Sequence, residues 1–165
     1  MNSCNENIWL FEFLRFFDSV FNSTRSPCKY NDKIKTEVNG DELNVYVEKG
    51  AWNNFNWGNR GLTAYITVTD LESLDVNGAS SLRITDPITV GNIAIEVNGA
   101  STLKGEIKAG DMQMEVTGAS VVDVSGNSNS LAVKATGASN FKGFDLQTSS
   151  CKAHASGASS IGVSV

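Results

Sequence analysis

From Leu74 to the end of the chain, apolar and polar residues alternate in short blocks that return about every 20 residues. Ile93, Ile95 and Val97 are followed by Met112, Met114 and Val116, then by Leu131, Val133 and Ala135, then by Cys151, Ala153 and Ala155, with Leu74 and Val76 one block earlier. Between them stand Asp75, Ala94, Glu96, Gln113, Glu115, Ala132, Lys134, Lys152 and His154. Period two with one apolar side predicts a β-strand that buries one face. A second series, Leu82, Leu103, Val122, Phe141 and Ile161, is followed two residues later by Ile84, Gly105, Val124, Gly143 and Val163. Each block therefore has at least two inward faces.

The two strands of a block are separated by one phrase, Gly-Ala-Ser, which begins at Gly78, Gly99, Gly118, Gly137 and Gly157, at intervals of 21, 19, 19 and 20 residues. Such a period is the mark of a stacked solenoid. Coils of this length stay in register only if each strand lies on its counterpart one coil away, at about 4.8 Å along the axis. The fold class that follows is all-β: a single-stranded, parallel, right-handed β-helix with about 20 residues per coil. Glycine suits the corner because it accepts positive φ and carries no Cβ. By alternation Ser80, Ser101, Ser120, Ser139 and Ser159 lean inward, where an unpaired hydroxyl is costly, so they are read as a structural ladder. The column just before the glycines, Asn77, Asn98, Thr117, Thr136 and Ser156, is expected to cap turn carbonyls.

The first 29 residues follow another pattern. Phe11, Phe13, Phe16, Phe17 and Phe21 are five of the eight phenylalanines, and Ile8, Phe11, Leu14, Phe17 and Phe21 fall near helical spacing. A short amphipathic helix capping one end of the solenoid is expected, and a non-native leader would look the same. Glu12, Arg15 and Asp18 interrupt the apolar run, so no recognisable signal peptide is present. The domain division is 1–29 for this segment and 30–165 for the β-helix. Ile34 to Val38 and Leu43 to Val47, joined by Asn39-Gly40, predict a hairpin. An aromatic loop spans 49–61, and Leu62 to Val68 leads into the first coil.

Composition narrows the function classes. With 165 residues, two prolines and 41% hydrophobic residues, the chain has material for one continuous core. A net charge of −5 and the lack of a basic stripe argue against nucleic acid as a partner. No run of 18 apolar residues exists to cross a bilayer. Cys151 continues the column of Met112 and Leu131 and reads as a small core residue, while Cys4 and Cys28 leave the redox compartment open.

These residues resemble the bacterial head GIN domain family, named for auto-transporter adhesins and without an assigned function. The resemblance runs from about Lys33 to Val165. It is carried by Asp32-Lys33-Ile34-Lys35-Thr36-Glu37-Val38, by Ala64-Tyr65-Ile66-Thr67-Val68 with Asp70-Leu71-Glu72-Ser73-Leu74, and by the five Gly-Ala-Ser phrases. It implies a β-helix at the cell envelope, periplasmic or extracellular, with a binding role. Members tend to start with a leader and to continue through further coils, so this chain reads as a shortened member or a fragment.

Candidate chemistry is sparse. Trp52, Phe55 and Trp57 interleave with Asn54 and Asn59, which offers apolar faces for sugar rings and amides for their hydroxyls. Fold-back of these rings onto the solenoid is the competing reading. Asp75, Glu96 and Glu115 share one outward column and are weak candidates for Ca²⁺, although Lys134 follows Glu115 one rung on. No catalytic residue and no cofactor are expected. His154 stands alone, and Arg83 and Lys104, the bases that carboxylate chemistry would need, lie round the corner from Asp75, Glu96 and Glu115. The expected function is a non-enzymatic surface binding or adhesion module for a carbohydrate or protein ligand. The alternatives are a module that self-associates through its solenoid ends and a polysaccharide-degrading enzyme.

Overall fold

The computed structural model describes Leu14–Arg15 and residues 34–47, 64–68 and 70–165. Within them the regular structure is β throughout, in ten strands: β1 (Leu14–Arg15), β2 (Ile34–Asn39), β3 (Glu42–Val47), β4 (Ser73–Val76), β5 (Ser81–Arg83), β6 (Ile88–Val97), β7 (Thr102–Val116), β8 (Val121–Ala135), β9 (Asn140–Ala155) and β10 (Ser160–Ser164). Their spatial order is β10-β9-β8-β7-β6-β4-β1-β3-β2, with β5 against β7. Every contact from β4 to β10 is parallel, in the expected one-coil register: Leu74 on Ile95, Ile95 on Met114, Met114 on Val133 and Val133 on Ala153. The result is a parallel β-solenoid of about five turns.

The apolar columns fill its interior. Ile93, Ile95, Val97, Met112, Met114, Val116, Leu131 and Val133 are buried, as are Leu82, Leu103, Val122 and Phe141 on the second face. A third inward face, which sequence periodicity did not separate, lies between them. It is built from Ile88, Val90, Ile107, Ala109, Ser128, Leu146 and Thr148. Each coil is thus one long strand folded round the core, as the 15-residue β7 and β8 show.

Corners repeat as closely as the strands. Gly99 takes φ +79°, and a Cβ placed on it would lie 2.3 Å from the Gly78 carbonyl oxygen, so it must be glycine on both counts. That approach lets the Ala100 amide donate to the Gly78 carbonyl at 2.7 Å, and Ala119, Ala138 and Ala158 repeat the bond one coil on each time. The inward serines behave as expected. Ser80, Ser101, Ser120 and Ser139 are buried, and their hydroxyls donate to main-chain carbonyls, Ser80 to Asn77 at 2.6 Å and Ser139 to Thr136 at 2.9 Å. Ser101 and Ser120 reach down a coil, to the carbonyls of Gly78 and Gly99.

Irregular repeat lengths are absorbed locally. The 21-residue interval relaxes to 19 between Arg83, which pairs with Lys104, and Ile88, which pairs with Ile107, so residues 84–87 take up the excess. The 20-residue interval produces a β-bulge: Asp123 pairs with Lys142, but Gly126 pairs with Leu146. At this bend the Phe141 ring spreads toward Gly143, whose Cβ would come within 2.7 Å of the ring.

At the N-terminal end the parallel stack gives way to antiparallel pairing. β2 and β3 form the expected hairpin, with Gly40 at φ +68° in its turn. β1 lies between β3 and β4, antiparallel to both. Leu14–Arg15 are therefore strand, and the rest of the helix expected over Ile8 to Phe21 falls outside the described residues. Ala64, Ile66 and Val68 keep the alternation of an inward face and pack against the core without forming a regular strand.

Candidate functional site

Outward side chains form ladders with the same register as the core. Asp75, Glu96, Glu115, Lys134 and His154 occupy successive rungs of one column. Lys134 Nζ sits 2.6 Å from Glu115 Oε1, with both side chains well exposed, so the pair steers charge more than it stabilises. Among the described residues no group of three His, Cys, Asp or Glu side chains is placed to hold a metal ion. Asp75, Glu96 and Glu115 are spread one per rung along the column, and Glu115 is already engaged by the lysine.

Round the corner a second column holds Arg83, Lys104, Asp123 and Lys142 in register. Lys104 Nζ lies 2.6 Å from Asp123 Oδ2, which commits this base to its own face and away from Glu96 and Glu115. His154 is exposed, and among the described residues no hydrogen bond links it to a hydroxyl or a carboxylate. The column before the glycines differs from expectation. Asn98 donates its amide to the Asn77 side-chain oxygen at 3.0 Å and accepts from the Thr117 hydroxyl, so these side chains bond to one another along the axis. The turn carbonyls are instead met by the inward serines.

Two exposed features stand out, and the first escaped the sequence pattern. Phe144, at the bulge in β9, is 69% exposed, with its ring end over Gly162. The extra residue between Gly137 and Gly157 was the available signal. The second is the C-terminal rim. Cys151 stands on Leu131 as expected, yet it is only half-buried, and Ala153 and Ala155 above Val133 and Ala135 are exposed. Partial burial pushes the Cys151 thiol above its ordinary pKa, which suppresses the thiolate and its reactivity. The aromatic loop with Trp52, Asn54, Phe55, Trp57 and Asn59 lies outside the described residues, as do Cys4 and Cys28.

Stacked parallel coils, a serine-lined corner and regular outward ladders define a repeat protein of the β-solenoid class. The chain belongs to the family described as "putative auto-transporter adhesin, head GIN domain", which matches residues 26–165. No curated protein and no solved structure matches it. Among the described residues no helix is long and apolar enough to cross a membrane.

Proposed function

We propose that this chain is a non-enzymatic adhesion module of the cell surface or envelope, which uses the solenoid as a rigid stand for its ligand-binding elements. The observation that carries this reading is the match to an adhesin head family over residues 26–165, most of the chain. The geometry supports it. Titratable groups on the described faces are spread along ladders or paired across rungs, which suits contact with an extended ligand better than chemistry at one point.

Within that reading the ligand is a glycan, held by the loop that precedes the first coil. Trp52, Phe55 and Trp57 supply faces for sugar rings, and Asn54 and Asn59 supply donors and acceptors for hydroxyls. A glycan array followed by titration of Trp fluorescence tests this. The expected result is at least one hit that shifts the fluorescence and weakens ten-fold or more in Trp57→Ala. No hit, with fluorescence unchanged across sugars, overturns it.

A further inference from the structure

The flank of the solenoid that follows the Gly-Ala-Ser corners carries an aromatic ring for which the core has no use. On β9, Asn140, Lys142 and Phe144 alternate with the buried Phe141 and Gly143, so all three face outward. Phe144 is 69% exposed, although the alternation that places it outside could as well have carried a polar residue. Its Cζ, Cε2 and Cε1 lie 2.3, 2.7 and 2.8 Å from where a Gly162 Cβ would stand, and so narrow a spread means that the ring turns a face, not an edge, to the glycine. A side chain at position 162 would collide with it. One face of the ring therefore rests against the backbone of β10 and the other is turned to solvent. Side chains on this flank point away from the solenoid axis, whereas coils add along it, so stacking beyond β9 and β10 leaves the flank uncovered. The ring also owes its place to the β-bulge, a device that re-aims side chains next to functional sites.

Polar groups surround it. Lys142 lies directly opposite Gly162, and the Ser160 hydroxyl, two residues along β10, donates to the Asn140 side-chain oxygen at 2.9 Å. That pair stands about 7 Å from Gly162 along the strand, and it leaves the Asn140 amide NH2 to donate outward. Asp145, the extra residue of the bulge, is exposed next to the ring. Charges nearby balance: Lys142 and Asp145 are one of each sign, and Lys104 and Asp123 are held to each other at 2.6 Å. A neutral ligand suits this setting better than a charged one. So does a small one, since a protein contact is built on clustered apolar anchors and the neighbouring outward residues Asp123, Ser125, Ser160 and Ser164 are polar.

We propose that Phe144, with Lys142, Asn140 and Ser160, forms a second carbohydrate-binding site on the flank of the solenoid, for neutral hexopyranose units of a surface polysaccharide. The proposal rests on the adhesion reading above but on none of the residues of the aromatic loop. A pyranose has an apolar C–H face that stacks on an aromatic ring and a rim of hydroxyls that takes hydrogen bonds, and the flank offers both. One sugar stacks on Phe144 beside Lys142, and the next in the chain reaches the Asn140–Ser160 pair. A disaccharide should therefore bind more tightly than a single sugar.

An array of neutral and acidic oligosaccharides, followed by calorimetry on the hits, tests this in the full chain and in Phe144→Ala, Phe144→Tyr and Trp57→Ala. At least one neutral oligosaccharide should weaken ten-fold or more in Phe144→Ala and keep its affinity in Phe144→Tyr and Trp57→Ala. Gly162→Val, which displaces the ring without removing it, should give the same loss and replaces Phe144→Ala if circular dichroism shows that variant to be unfolded. If every hit is lost in Trp57→Ala and none responds to Phe144→Ala or Gly162→Val, the flank site is overturned and the loop site stands. Hits that respond to Phe144→Ala and ignore Trp57→Ala support the flank site whatever becomes of the loop. If only acidic sugars respond to Phe144→Ala, the neutral ligand is overturned, and if no oligosaccharide binds at all, both sites are.

Discussion

Two residue types hold the corners, and each makes a separable demand. Gly99 must reach positive φ and must also leave room for the carbonyl of Gly78, whereas Gly40 in the hairpin has positive φ with nothing within 4 Å of its missing Cβ. Alanine at Gly40 should therefore cost only the backbone term of about 1 kcal/mol, and alanine at Gly99 at least about twice that. Denaturant melts of the two variants measure the difference, and equal losses would show that stacking of the corners contributes nothing. The serines divide in the same way. Ser120 Oγ donates to the Gly99 carbonyl and accepts from the Ser101 amide, while Ser128 Oγ, also buried, has no partner among the described residues. Ser120→Ala should cost about 1 kcal/mol, because the Ser101 amide loses its acceptor while the Gly99 carbonyl keeps the Ala119 amide; Ser128→Ala should be neutral or stabilising, since it removes an unsatisfied group. A larger loss from Ser128→Ala than from Ser120→Ala would reverse that assignment.

At the scale of the strand, alternation sets the faces and a shift of phase moves every side chain to the other side. Interior residues in β7 run Leu103, Ile107 and Ala109 and then resume at Met112, one residue out of step, because the chain turns at Gly110 and Asp111. That phase change is why the third face was not legible in the sequence: its column mixes Ala109, Ser128 and Thr148, too small and polar to stand out, and the alternation breaks on its edge. The other two faces were legible because Ile95, Met114 and Val133, or Leu103, Val122 and Phe141, recur within uninterrupted runs. Outward columns were legible as columns, and the Glu115–Lys134 pairing followed from the register. Which of them contacts a ligand was not, since outward residues are under no packing constraint that would mark them. The bulge offers a test of the same logic. Deleting Phe144 returns the coil to 19 residues and should leave a folded protein with stability changed by about 1 kcal/mol, near the centre of the range for single-residue changes. Deleting Ala132, between the buried Leu131 and Val133 of β8, throws Val133 and Ala135 out of phase with Met114 and Val116 and should prevent folding. Proteolysis and circular dichroism of the two deletions compare them, and equal tolerance would mean that register in β8 is loose.

For the whole molecule, stability is a sum over neighbours. β7 and β8 are each covered by a strand above and below, whereas the last part of β9 has one neighbour among the described residues. In a solenoid the coils with two neighbours open last, and those at the ends open first. Amide hydrogen exchange read strand by strand tests this picture most directly. Amides of 102–135 should exchange slowest, and those of 148–155 clearly faster. Exchange in 102–135 as fast as in 148–155 would contradict it.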